Sequence, residues 1–300
     1  MGDLLNNKAI NGWWLFAIIS LPMSAWVILE VLATDLSGGA GISEMIGFSV
    51  RLAVPFIYLA MAASSFQVLF PGEFGRWWLR NRRYIGLSFA TGMAWQGLFI
   101  FIMSTVYRGY YAEEVYYFRD ELEGSVGYIF LAAMVVTSFN LTRRKLDSKQ
   151  WKVIQKGGIY FLWGYAFSVY WWNLFYYTDP RPLDFVYYWA GFVAFTLRIA
   201  AWGKLRRKAV DRQHPNASAS ALYRGVGTAM IALGLLAAAT GLQWQAAVTA
   251  FLTTPAWSAT MELWLPFWPL EPFLPLISIG LGTALLSARP DTGVVAATAK

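Results

Sequence analysis

The 300-residue chain contains no cysteine and one histidine. Haems in bilayers are held by axial His, Cys, Met or Tyr, and electron transfer favours histidine. Most transition-metal sites want imidazole or thiolate. The single imidazole, His214, sits in Asp211-Arg212-Gln213-His214-Pro215-Asn216, a segment too polar for a bilayer interior. No metal site and no catalytic constellation is therefore expected. Long hydrophilic stretches are missing too. That leaves no room for a flavin or nicotinamide domain, and no glycine-rich phosphate fingerprint follows a strand. Gly38-Gly39-Ala40-Gly41 reads as a flexible turn.

What the chain has instead is apolar length, with 57% hydrophobic residues. A hydrocarbon core of roughly 30 Å needs about 20 helical residues. Eight stretches, near 9–33, 45–70, 84–106, 124–141, 156–177, 184–203, 222–242 and 267–287, approach or meet that length. The expected fold is all-α, a polytopic membrane helical bundle of about eight transmembrane helices. The stretch near 243–266 is broken by Pro255 and Pro266 and reads as re-entrant or interfacial.

The excess positive charge alternates along the chain. Glu73 stands among Arg76, Arg80, Arg82 and Arg83; Asp147 is outnumbered by six cations between Arg143 and Lys156; Asp211 is similarly outnumbered between Lys204 and Arg224. The intervening linkers are acidic. Asp35 and Glu44 lack a local cation, and the stretch from Arg108 to Glu123 holds five acids and two arginines. Under the positive-inside rule this alternation predicts a multi-pass protein of a bacterial-type inner (plasma) membrane with both termini cytoplasmic. The basic balance then serves topology and anionic lipid heads, and no nucleic-acid partner is needed to explain it.

Aromatic pairs at predicted span ends, such as Trp13-Trp14 and Trp77-Trp78, suit interfacial anchoring. The fifth stretch is aromatic along most of its length, from Tyr160 to Trp172. Packing against neighbouring helices accounts for this; lining a flat pigment or quinone is the alternative. Three charges fall inside or at the ends of spans: Glu30, Arg51 and Arg198. Snorkelling from near the interface satisfies them, and transport or proton relay is the functional alternative. Glu262 and Glu271, among prolines, read as loop acids or partner contacts. The acidic loop carries Tyr110, Tyr111, Tyr116, Tyr117 and Arg119, residue types favoured at protein interfaces, and is expected to form a short amphipathic helix that docks a partner.

Three local patterns carry a family resemblance. The first is Leu79-Arg80-Asn81-Arg82-Arg83-Tyr84-Ile85-Gly86-Leu87. The second is Thr137-Ser138 ahead of Arg143-Arg144-Lys145-Leu146. The third is Trp151-Lys152-Val153-Ile154-Gln155-Lys156-Gly157-Gly158-Ile159-Tyr160. In order and spacing they resemble the ferric-reductase-like transmembrane domain family of the YedZ/MsrQ type. The resemblance implies a six-helix core over about 45–208. Residues 1–300 would then form one integral membrane domain, with 209–300 adding two further helices and the segment near 243–266.

The same resemblance implies haem ligands at positions that carry other residues here. Trp95-Gln96 stands where the family's first ligating helix has a histidine, Gln155 takes the place of a second, and Ser168 that of a third, 13 residues further on. A carboxamide or hydroxyl is a poor axial donor, so the resemblance implies the frame and the residues deny the cofactor. Met93, Met103 and Met134 lie in the relevant spans, and core filling is the expected role for methionine there. Gln96 and Gln155 are expected to bond each other across the former haem gap. The resulting expectation is a haem-free structural, assembly or accessory subunit of a membrane complex, surrounded by lipid and joined to a membrane-protein partner. A membrane oxidoreductase using a quinone or unusually ligated haem, and a small-molecule or ion transporter, stay open as alternatives. A quinone, lipid or pigment would suit a cavity lined by Gln96, Gln155 and Ser168.

Overall fold

The structure, a computed structural model, describes residues 5–177, 179–213 and 220–288; His214 lies outside them. Every regular element among the described residues is helical. The longer helices are α1 (Gly12–Ala33), α2 (Gly39–Leu69), α3 (Glu73–Val106), α4 (Phe118–Val136) and α5 (Ser148–Phe175). They are followed by α6 (Pro182–Gln213), α7 (Ala221–Ala239), α8 (Gly241–Leu252), α9 (Pro255–Trp264) and α10 (Leu274–Ser287).

Five of these, α1, α2, α3, α6 and α7, are long and apolar enough to cross a membrane. By length and composition the chain is a multi-pass membrane protein whose environment is the bilayer. The other three expected spans are helical but do not reach that standard, each for its own reason. Helix α4 starts with Arg119, Asp120, Glu121 and Glu123 in its first two turns. Helix α5 is rich in Trp and Tyr, whose polar N–H and O–H groups keep hydropathy low. Helix α10 has 14 residues, about 21 Å of rise. Helices α8 and α9, in the segment near 243–266, are shorter still, at 12 and 10 residues.

The chain sorts into two compact units, one of residues 1–63 and 72–166, the other of 64–71 and 167–300. In the first, α1 and α3 pack side by side and are laced by polar groups at successive levels. The Gly12 N–H donates to Asn81 Oδ1 at 2.9 Å, and Asn81 Nδ2 donates to Asn11 Oδ1 at 2.9 Å. Higher up, the Ser20 and Ser88 hydroxyls lie 3.2 Å apart, and Trp95 Nε1 donates to Ser24 Oγ at 3.0 Å. Such pairs tie helices together where water offers no competing partner. Val27, Ile42, Met45, Phe99 and Met103 form an apolar core at the acidic end of this unit.

In the second unit, the end of α5 carries Phe167 and Trp171, both fully buried. Phe167 stacks on Tyr188 of α6 with centroids 5.5 Å apart, and Trp171 meets Trp244 of α8 at 5.2 Å. This stretch of the aromatic α5 face is thus packed against neighbouring helices. The Tyr188 hydroxyl donates to the Ala238 carbonyl at 2.9 Å. Lys204 Nζ donates to the Val68 and Leu69 carbonyls at 2.8 and 3.1 Å, a cation at the helix terminus where the free carbonyls of α2 lie.

Glu271 is no loop acid: it is fully buried in the turn before α10 and accepts a hydrogen bond from the Thr249 hydroxyl, while Glu262 is exposed. Because α2 begins at Gly39, Arg51 stands 12 residues in, about 18 Å along the helix. Glu30 is in the last turn of α1, and Arg198 is mid-helix in α6; both are half-buried.

Helices α7 and α10 approach through small residues. A Cβ on Gly227 would lie 2.8 Å from the Gly282 carbonyl oxygen, and one on Gly282 would lie 2.5 Å from that of Gly227. Backbone atoms cannot swing aside as a side chain can, so a larger residue must push the helices apart. Gly227→Val is expected to lower stability by about 1–3 kcal/mol, the usual cost of overpacking. Thermal unfolding of the detergent-solubilised protein checks it, with Gly225→Val, whose Cβ would meet open space, as the reference.

Candidate functional site

The three sequence patterns lie far apart in the chain, yet they line one cavity inside the first unit. Its volume is about 440 Å³. From α3 come Arg80, Arg82, Arg83, Gly86 and Leu87; from the end of α4 and the turn beyond it come Thr137, Ser138 and Arg143; from α5 come Trp151, Gln155 and Ile159. Ile57 and Ala60 of α2, Leu131 and Met134 of α4, and Leu162 of α5 complete an apolar wall. Four of the lining side chains are arginines, and among the described residues none is a carboxylate.

The guanidinium groups are positioned by rings and neutral oxygens. Arg83 Cζ lies 5.8 Å from the Trp13 ring and 5.6 Å from those of Tyr84 and Phe139. Its Nε is buried with no hydrogen-bond partner. Arg143 Cζ lies 4.9 Å from the Trp151 ring, and its Nη1 donates to the Leu146 carbonyl at 3.1 Å. Arg80 Nη2 donates to Asn11 Oδ1 at 2.9 Å and to the Leu5 carbonyl at 3.1 Å. Ring faces attract cations without cancelling their charge. Asp147, close in sequence, accepts from the Lys149 and Gln150 N–H groups at the start of α5, both at 2.7 Å. The arrangement is a positively charged mouth on an apolar chamber.

Gln96, Gln155 and Ser168 are not brought together in it; of the three, only Gln155 lines the cavity. Its Nε2 donates to Thr137 Oγ1 at 3.0 Å and to the Met134 carbonyl at 3.2 Å. Gln96 instead accepts from the Tyr128 hydroxyl at 2.8 Å. Both amides thus bond α4, at residues six to nine positions apart, about 9–13 Å of rise. The expected Gln96–Gln155 bond is replaced by two separate ties, because α4 offers a nearer partner to each. Trp95, next to Gln96, points the other way, to Ser24 on α1. Ser168 is buried 13 residues beyond Gln155 on α5, about 20 Å along the helix and in the second unit.

The donor set does not fit haem. Amides and a hydroxyl occupy the positions that the resemblance gives to iron ligands, and the amides are committed to protein partners. Met103 is part of the apolar core, and Met134 packs so closely on Gly158 that a Cβ there would lie 2.3 Å from its sulfur. Among the described residues no cluster of three or more His, Cys, Asp or Glu is placed to hold a metal ion.

The acidic loop forms a helical turn, Arg108–Tyr110, and a π turn, Tyr111–Val115, where one amphipathic helix was expected. The wider π turn separates it from α4. Tyr110 and Tyr111 pack against the apolar core, and Arg119 pairs with Glu123 at 3.2 Å. Tyr116, Tyr117 and Phe118 stay about half exposed or more, at 49, 55 and 63%. The Tyr111 hydroxyl donates to Glu121 Oε2 at 2.7 Å; burial, then this carboxylate, push its pKa up to about 12. Comparison with known protein families, with characterised proteins and with solved structures gives no match.

Two predictions follow from this geometry. Gln96→Leu removes one hydrogen bond and Gln155→Leu two, each worth about 1 kcal/mol net. Because the two ties are separate, the double variant is expected to lose the sum, as a double-mutant cycle on thermal stability would measure. For Tyr111 the folded pKa lies above the ordinary value of 10, so its contribution is complete below pH 10 and is lost as pH rises through about 12. The stability difference between the native protein and Tyr111→Phe should therefore be flat below pH 10 and shrink above it.

Proposed function

We propose that this chain is a haem-free member of the ferric-reductase-like helical frame that serves as a structural or accessory subunit of a membrane complex. In this reading it sits in a bacterial-type plasma membrane with its basic linkers and both termini on the cytoplasmic side. The observation that carries it is the pair of amides, Gln96 and Gln155. They stand where the resemblance calls for iron ligands, and each is bonded to α4. A glutamine bonded across helices keeps the frame closed and supplies no redox centre.

The acidic loop supports the accessory role. Val115, Tyr116, Tyr117 and Phe118 expose contiguous apolar and aromatic surface outside the five apolar helices, in the composition that favours protein contacts. Exposed rings on a span face the hydrocarbon, whereas this loop lies outside the five helices long and apolar enough to cross a membrane.

The test is isolation of the tagged chain from native membranes in mild detergent. A stoichiometric companion is expected, lost in the triple variant Tyr116→Ser, Tyr117→Ser, Phe118→Ser while the chain itself remains folded. The spectrum should show no Soret band that shifts on dithionite reduction. A chain that migrates alone, or one that carries such a band, would overturn the proposal.

A further inference from the structure

The arginine-lined cavity has chemistry that an accessory role does not use. We propose that it binds an amphiphile with an anionic phosphate-class headgroup, a lipid whose head rests among Arg80, Arg83 and Arg143 and whose tail enters the apolar chamber. The inference stands on the cavity alone and does not depend on a partner subunit.

Three observations lead to it. The first is charge: Arg80, Arg83 and Arg143 line one space, and among the described residues no carboxylate joins them. An anion from outside the chain supplies what the lining lacks. Arginine's planar fork matches phosphate oxygens in a way a point charge does not, and the buried Nε of Arg83 has a donor to give. The second is preorganisation. Arg83 and Arg143 are held over ring faces, so little side-chain freedom remains to be lost when a ligand arrives. The third is polarity that changes across the cavity. Further along the helices from the arginines the lining adds Leu131, Met134, Ile159 and Leu162, with Ile57 of α2 and the polar Thr137 and Gln155. A free inorganic anion has no use for that wall; an acyl or isoprenoid chain does. The volume of about 440 Å³ lies within the ordinary range for small-ligand sites, about 300–1,000 Å³.

The position of the arginines agrees with this. They stand in the first third of α3 and in the turn between α4 and α5, at the basic end of the unit, where a lipid head would be met at the membrane surface. Gly86 lines the chamber, and a Cβ there would meet only the Ala60 methyl at 3.9 Å. A larger side chain at 86 thus takes up chamber space without removing any charge.

The experiment uses the full chain in neutral maltoside micelles. Dioleoylphosphatidylglycerol, dioleoylphosphatidylcholine and inorganic phosphate are added separately, and native mass spectrometry and thermal unfolding are the readouts. Phosphatidylglycerol is expected to give a retained one-lipid adduct and a raised Tm, and phosphatidylcholine and inorganic phosphate neither. Arg143→Gln should weaken the adduct about tenfold or more, the loss expected of one charge-assisted hydrogen bond. Arg144→Gln, an exposed neighbour outside the lining, should leave it unchanged. Gly86→Leu, with every arginine in place, should abolish the adduct while the lipid-free Tm is kept. Should Arg143→Gln unfold the protein, Gly86→Leu decides alone. Equal weakening by Arg144→Gln, equal retention of phosphatidylcholine, or a folded Gly86→Leu that still holds its lipid would overturn the proposal. Stabilisation by inorganic phosphate equal to that by phosphatidylglycerol would overturn the amphiphile in favour of a free anion.

Discussion

A polar side chain in hydrocarbon has no water to fall back on, so it bonds to a neighbouring helix or remains unsatisfied at a cost of several kcal/mol. In the first unit that constraint converges on α3. Asn81, Ser88 and Trp95 face α1, and Gln96 faces α4. Adjacent residues on a helix are turned by about 100°, so Trp95 and Gln96 can serve two different neighbours at the same depth. One helix thereby sets the spacing of both of its partners. The cavity is a by-product of that spacing. Where α3 and α5 continue past the polar ties toward their basic ends, the walls are drawn from four helices and a turn, and arginines line them with apolar side chains.

Helix existence was legible in the amphipathic and apolar runs, and every one of the eight expected stretches is helical at its centre. Ends were less legible. The charges of residues 73–83 read as a linker, but arginine is a good helix former, and its long stem reaches past the apolar surface, so α3 continues through them to a length of 34 residues. A span ends where hydrocarbon ends; a helix ends where its backbone runs out of partners. Glycine, proline or a cap can supply that end, as Gly72 does at the start of α3.

The site was half legible. The patterns around Arg83, Thr137 and Gln155 were visible as separate signals, but nothing in a linear chain says that they share a cavity. Direction around the helix was the missing term for Gln96, which needed to be known relative to Tyr128, 32 residues away. Glu271 misled for a related reason: a proline-rich context reads as loop, and only the turn before α10 reveals that this carboxyl folds inward to Thr249. The division of the chain near Ala166 had no signal at all, because α5 runs through it unbroken.

The scarcity of imidazole has a last consequence at the cavity. Among the described residues its lining contains arginine, amide, hydroxyl, indole and hydrocarbon, and no histidine or acid. Guanidinium groups hold their charge across the biological pH range. The field inside is therefore constant where a histidine-bearing pocket would switch, and acidification of the compartment leaves it as it was. Ionic strength is what can reach it, through screening at the mouth within a Debye length of about 8–10 Å. The chamber is a fixed electrostatic fixture, answering to salt and to the supply of anions and indifferent to protons.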